Sequence, residues 1–220
     1  MNARSLRLCL ITNLQDQSFS LYQSLILKAI RGGITSVQLR EKNKNLFELK
    51  QLALQLKAIL YPFKIPLIIN DHVEMAKSVN AEGVHLGQSD YSPHEARKIL
   101  GSTKIIGWSV ETLTDLEIAN QLTCIDYIAA SSVFFSKTKP ECKTIWGISG
   151  LKKITKISIY PVIAIGGINS SNIQMIMESG ACGVAVMSAI HTLDPYQAAA
   201  DLIGTIDHSI DKKSTECLNG

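Results

Sequence analysis

The side chains best suited to chemistry in this 220-residue sequence sit just after short apolar runs. The run SVQL is followed by Arg40-Glu41-Lys42. Strand alternation would put Gln38, Arg40 and Lys42 on one face, with Val37 and Leu39 on the other. Two cations and an amide on a common face suit an anion. The run LII is followed by Asn70-Asp71, and GVHLGQSD ends in Asp90. Each aspartate alone reads equally well as a helix cap or a turn residue. Beside two cations, however, the pair suits Mg2+, which binds through one or two carboxylates, substrate phosphate oxygens and water.

Later segments repeat the theme. Ser109, after IIGW, reads either as a hydroxyl donor or as a turn filler. FFSKTKPECK contains Ser136, Lys137, Thr138 and Lys139, which are the hydroxyls and cations that phosphates need, or simply a polar loop. IAIGGIN brings Gly166 and Gly167, where backbone N–H groups can approach an oxyanion unobstructed, ahead of a helix expected from Asn169. AVMSAI adds Ser188. These two segments predict a phosphate site. His72 and His85 have no orienting carboxylate in the sequence and are expected to be packed or rim histidines. The histidines at 72, 85, 94, 191 and 208 show no i,i+3 or i,i+4 pair that would suggest a His-based metal site.

Such residues need a frame that gathers strand ends. Hydrophobic periodicity predicts strands at 8–12, 34–39, 66–69, 83–86, 105–109, 126–130, 161–165 and 183–187. Helices are predicted at 21–30, 45–60, 72–79 and 93–100, then from 112, about 149 and 169, and finally at 195–206. Ser92-Pro93-His94-Glu95 supplies an N-cap, a first-turn proline and a capping-box glutamate, and Asp194-Pro195 repeats the cap and proline. Eight βα units in 220 residues average about 27 each. That predicts an α/β fold, a single (β/α)8 TIM barrel over residues 1–206, with function at the C-terminal ends of its strands. Residues 207–220 are polar and are expected to form a frayed C-terminal tail.

Composition narrows the function classes. Apolar residues make up 46% and charged residues 19%, which describes a folded globular chain and excludes a disordered one. Lys and Arg number 22 against 19 acidic residues, with no basic run, so no nucleic-acid partner is expected. The five cysteines form no C-x-x-C pair, which points to reduced thiols in a cytosol. The first apolar run is too short for a signal peptide, and no run is long enough to span a bilayer. A cytoplasmic protein without a membrane partner is expected, and a homo-oligomer is compatible with the sequence.

Seven segments in order resemble one family. They are VQLREK (37–42), LIIND (67–71), GVHLGQSD (83–90), IIGWSVET (105–112), SKTK (136–139), AIGGI (164–168) and GVAVMSAI (183–190). The family is thiamine phosphate synthase, in a group that also holds the thiazole tautomerases. The resemblance implies that a pyrimidine methylene diphosphate is joined to a (carboxy)thiazole phosphate with Mg2+, releasing pyrophosphate and giving thiamine monophosphate. It implies that Gln38, Leu39, Arg40, Glu41, Lys42, Asn70, Ser109 and Lys139 hold the pyrimidine diphosphate, and that Asp71 and Asp90 bind the metal. Arg40, Lys42 and Lys139 would act catalytically on the departing pyrophosphate. Ser136, Lys137, Thr138, Gly167, Met187 and Ser188 would take the thiazole phosphate. Four places depart from the family pattern: His72, Glu111, Ser131-Ser132 and Phe135-Ser136. A tautomerase of the same group would need the phosphate pocket but neither the diphosphate cations nor the metal, and a non-catalytic barrel would bind a phosphorylated ligand without releasing pyrophosphate.

Overall fold

Eight short β-branched and leucine-rich runs form eight strands, and each run is too short to be anything but one layer of a larger sheet. They are β1 (Leu8–Ile11), β2 (Ser36–Leu39), β3 (Leu67–Asn70), β4 (Gly83–Leu86), β5 (Ile105–Val110), β6 (Tyr127–Ser131), β7 (Val162–Ile165) and β8 (Gly183–Val186). All pair in parallel and in chain order, and β8 closes on β1. The helices between them are α1 (Phe19–Gly32), α2 (Leu46–Leu60), α3 (Val73–Ser78), α4 (Pro93–Leu100), α5 (Leu113–Gln121), α6 (Gly147–Ile157), α7 (Ile173–Glu178) and α8 (Pro195–Leu218). This (β/α)8 barrel is a computed structural model that describes residues 3–15, 17–136 and 142–218, with side chains over 4–15, 17–136 and 142–212.

Several helix starts are fixed chemically. Asn45 with Glu48, Ser92 with Glu95, and Thr112 with Asp115 each form a reciprocal capping box at the start of α2, α4 and α5. Each box satisfies two orphan donors, and losing such a cap costs about 1 kcal/mol.

Strand alternation divides the apolar residues into two cores. Val37, Leu39, Val84, Leu86, Ile106 and Trp108 point outward into the layer shared with the helices. Cys9, Ile11, Tyr127, Ala129, Ile163 and Ala185 fill the barrel interior, and Leu6 covers its N-terminal end. Register fixes the interior neighbours: His85 lies opposite Gly107, and Gly107 opposite Tyr127. Gly107 is required there, because a Cβ at that position would occupy the space of the Tyr127 ring.

Three expectations are corrected. α8 does not end at residue 206 in a frayed tail but continues to Leu218. Residues 207–218 contain neither Gly nor Pro, Ile210 follows Ile206 at helical spacing and packs on the core, and Asp207 pairs with Arg7 at 2.6 Å. α7 begins at Ile173 rather than Asn169. The Asn169 side chain accepts from the Ser171 N–H (2.9 Å) and the Asn172 side chain from the Asn169 N–H (3.0 Å), so a local turn outcompetes the helix. Its six residues remove the helix N-terminus from the anion argument. Finally, 3-10 turns at Ala3–Leu6 and Tyr61–Phe63 extend beyond the expected elements.

Candidate functional site

All eight strands deliver a residue to one cavity of about 490 Å³ at their C-terminal ends. Gln38, Arg40, Lys42, Asn70, Asp71, Asp90, Ser109, Ser136, Gly167, Met187 and Ser188 line it together. Two residues expected in the site are not part of that lining. Leu39 is buried in the outer core, as its alternation required. Glu41 turns away, and its carboxylate accepts the Leu14 N–H at 2.8 Å. Lys137, Thr138 and Lys139 lie outside the described residues.

The cationic wall is built by β2. Gln38 is buried, and the backbone beyond it is tied to the β1 end: Thr12 N–H donates to the Gln38 carbonyl (2.9 Å) and Thr12 Oγ1 accepts the Arg40 N–H (2.9 Å). Arg40 and Lys42 therefore leave a fixed strand end and share its inward face.

The acidic wall comes from β3 and β4. Asp71 is not a helix cap; His72 occupies that position before α3. Instead Asp71 adopts a left-handed backbone with φ 64°, its N–H donating to the His85 carbonyl at 2.9 Å. Positive φ is uncommon outside glycine, is tolerated best by Asp and Asn, and clusters where a site demands a particular side-chain direction. Asp90 both closes its turn, accepting the Gly87 N–H at 2.6 Å, and faces the cavity. Burial pushes the Asp71 carboxyl up to about 7, and hydrogen bonding and repulsion from Asp90 add to the rise, while Arg40 and the Asn70 side chain oppose it. Asp71, crowded in this way, holds its proton more than an ordinary carboxylate does, and a divalent cation between the two aspartates would satisfy both charges instead. Among the described residues no three His, Cys, Asp or Glu side chains gather, so such an ion would complete its shell with water and ligand oxygens.

The opposite wall is glycine-built. Gly166 and Gly167 have φ of 97° and 65°, and a Cβ on Gly167 would lie 2.7 Å from both Phe134 Cβ and the Phe135 carbonyl. The Asn172 side chain donates to the Gly167 carbonyl at 2.9 Å and holds this turn open to the cavity. Beside it, Met187 and Ser188 lie in a turn after β8, where Nδ1 of His191 bonds the Met187 carbonyl at 2.8 Å.

The cavity also uses residues that the sequence did not single out as ligands. His85 is buried at its base, with Nε2 2.9 Å from Ser109 Oγ and Nδ1 2.9 Å from the Tyr127 hydroxyl. Its alternation with the outward-facing Val84 and Leu86, on a strand that leads into GQSD, was the available signal. Glu111 and Ser131-Ser132, noted as departures, line the mouth, as do Gln88 and Lys143. His72, also a departure, faces a separate hollow beside Met75 and Tyr91.

A family model of thiamine monophosphate synthase matches residues 8–190. The chain belongs to that family. A thiamine-phosphate synthase from Chlamydia abortus is 43% identical over 192 residues, covering 87% of this chain and 90% of the relative. One from Vibrio parahaemolyticus is 43% identical over 202 residues, covering 91% and 98%. Among solved structures, thiamine phosphate pyrophosphorylase from Pyrococcus furiosus superposes with a TM-score of 0.85 at 30% identity, covering 94% of this chain and 98% of that one. Every cavity segment described above falls within the residues matched by the thiamine monophosphate synthase model.

Proposed function

We propose the following reaction and residue roles for this chain, which is a thiamine phosphate synthase and hence a transferase. It joins a pyrimidine methylene diphosphate to a thiazole phosphate, giving thiamine monophosphate and pyrophosphate. One observation carries the reading: a single cavity has Arg40, Lys42 and two aspartates on one wall and the Gly166–Gly167 and Ser188 turns on the other. That is room for two phosphorylated ligands with their reacting ends facing.

The bond between the methylene carbon and the diphosphate oxygen breaks, and its electron pair leaves with the pyrophosphate. An aminopyrimidine is electron-rich enough to carry the cation left behind, so no general base is needed. Arg40 and Lys42 then act on charge that grows as the bond lengthens, which is where fixed cations lower a barrier most. The thiazole nitrogen gives its lone pair to the methylene carbon and forms the new bond. Gly167, Ser188 and Ser136 hold the thiazole phosphate, so that this step happens within one cavity and not between free molecules.

Asp71 and Asp90 fit Mg2+, since their crowding is relieved by a divalent charge. When bound, the ion supplies positive charge to the diphosphate oxygens. For Lys139 we infer the same charge-stabilising role as for Arg40, and for Lys137 and Thr138 contact with the thiazole phosphate, from the match of the SKTK segment to the family pattern. Among the described residues no helix is long and apolar enough to cross a membrane. The free thiols of Cys9, Cys124, Cys142 and Cys182 support work in the cytoplasm.

The test is a coupled pyrophosphate assay on the purified protein. Pyrophosphate is expected only when both substrates and Mg2+ are present. Thiazole isomerisation without pyrophosphate would identify a tautomerase, and tight ligand binding without turnover would identify a sensor; either result overturns the assignment.

A further inference from the structure

Three neighbouring strands place a connected set of polar groups under the cavity floor. Tyr127 on β6 and His85 on β4 flank the side-chain gap at Gly107 on β5, and Ser109 stands two residues further up β5. The Tyr127 and His85 rings stack with centroids 5.6 Å apart at 28°. Tyr127 Oη lies 2.9 Å from His85 Nδ1, and His85 Nε2 lies 2.9 Å from Ser109 Oγ. All three residues are buried, and Ser109 and His85 also border the cavity.

Proton counting gives this chain a direction. Tyr127 Oη carries one hydrogen, and His85 Nδ1 is its hydrogen-bond partner among the described residues. Around it lie Cys9, Ala129, Ile163, Ala185 and Cys182. Were Nδ1 protonated, Oη would accept, and the Tyr127 hydrogen would point into that apolar interior unsatisfied. A buried orphan donor is disfavoured about tenfold or more. Tyr127 therefore donates to Nδ1, and burial, which pushes its phenol well above the ordinary range, keeps that hydrogen in place. The ring proton then sits on Nε2 and is donated to Ser109 Oγ. A hydroxyl that accepts from His85 cannot also spend its own hydrogen on the same nitrogen. It spends it on the cavity.

We infer that Tyr127 and His85 are positioning residues that turn Ser109 into a hydrogen-bond donor toward a ring nitrogen of the pyrimidine, and so select that heterocycle. The inference rests on the pyrimidine reading above. An aminopyrimidine edge alternates amino donors with ring-nitrogen acceptors, and a donor with a fixed direction pairs with the nitrogen. A relay running the other way would show the cavity only an acceptor and would favour the amino group.

Two measurements test it. Long-range 1H–15N spectra of the wild-type protein should show the His85 proton on Nε2, and a proton on Nδ1 would overturn the relay. Calorimetry should then compare the pyrimidine monophosphate, which lacks the leaving diphosphate, with two pyridine analogues in which one or the other ring nitrogen is CH. The wild type should bind the pyrimidine about tenfold more tightly than one of the analogues. Tyr127→Phe should reduce that preference to about twofold or less while leaving KM for the thiazole phosphate unchanged, a split that general loosening of the barrel would not give. Full discrimination in Tyr127→Phe, or no discrimination in the wild type, sinks the selection. A wild type that releases no pyrophosphate would overturn the activity and the pyrimidine ligand together, whereas the His85 tautomer judges the relay by itself.

Discussion

At the scale of single residues, the two walls of the cavity should separate in kinetics. In the proposed reaction Arg40, which lines the cavity, acts on the departing diphosphate, where charge grows only as the bond breaks, so Arg40→Ala should lower kcat and kcat/KM for the pyrimidine diphosphate together. A charge-assisted hydrogen bond is worth roughly 1.5–3 kcal/mol, which corresponds to roughly 10- to 100-fold. Under the same proposal Ser188 holds a phosphate that does not change during the reaction, so Ser188→Ala should raise KM for the thiazole phosphate several-fold with kcat nearly constant. Steady-state kinetics with each substrate varied in turn decides this, and an Arg40→Ala variant with normal kcat/KM removes Arg40 from the mechanism. Much of the placement of these residues was legible in the sequence. Alternation carried past the end of β2 predicts Gln38, Arg40 and Lys42 on one side, all three line the cavity, and Leu39 was bound to point the other way. Glu41 was not legible, since its partner is the Leu14 N–H on a different loop. Nor was the base of the cavity: His85 and Tyr127 are 42 positions apart, and only barrel closure and the Gly107 gap bring them together.

At the scale of elements, the turn after β8 is held from behind by α1. Tyr22 Oη accepts the Asn13 N–H at 3.1 Å, so its own hydrogen goes to His191 Nε2 at 3.3 Å, while His191 Nδ1–H donates to the Met187 carbonyl at 2.8 Å. A second proton on this ring would oppose the Tyr22 hydrogen. Burial lowers the His191 pKa below its ordinary value, with the Met187 bond and Glu41 pulling the other way. A histidine depressed in the folded state binds its proton more readily when unfolded. Its neutral form therefore contributes fully above the ordinary histidine range near 6.5, and stability is lost as pH falls through that value toward the lower folded one. Asparagine keeps a donor for the Met187 carbonyl but does not titrate. Thermal melts of wild type and His191→Asn should thus converge between pH 7.5 and pH 5, and a constant difference would show that His191 does not titrate against folding. Elements such as these were visible in the sequence as periodicity and caps, and Ser92 and Asn45 began helices within a residue of expectation. α7 and α8 were misjudged for opposite reasons. Asn169 and Asn172 spend their side chains on a turn that hydrophobic spacing does not report, and the polarity of residues 207–212 concealed a helix that Ile210 still anchors.

At the scale of the whole molecule, chemistry and stability lie at opposite ends of the barrel. The C-terminal mouth carries crowded aspartates, an Asp71 in a left-handed conformation and glycine turns, all of which trade stability for ligand binding. The N-terminal end carries compensating ties. Arg97, on α4, donates to the carbonyls of Cys124 (3.1 Å), Gly101 (2.9 Å) and Lys104 (2.5 Å), and to Asp126 Oδ2 at 2.7 Å, which also accepts the Ile106 N–H at 2.8 Å. One guanidinium thus joins a helix end to the starts of β5 and β6. Arg97→Ala would take this donor from three carbonyls and leave the Asp126 carboxylate with the Ile106 N–H but no cation, at a cost of about 2–4 kcal/mol. For a chain of this size each kcal/mol moves the midpoint by about 2–4 °C, so Tm should fall by roughly 5–15 °C. Because the lesion lies at the far end from the cavity, both KM values and kcat, measured well below the new midpoint, should stay within about twofold of wild type. A loss of activity at temperatures where the variant is fully folded would mean that the two ends are coupled, and that the rigidity of the barrel floor belongs to the catalytic apparatus.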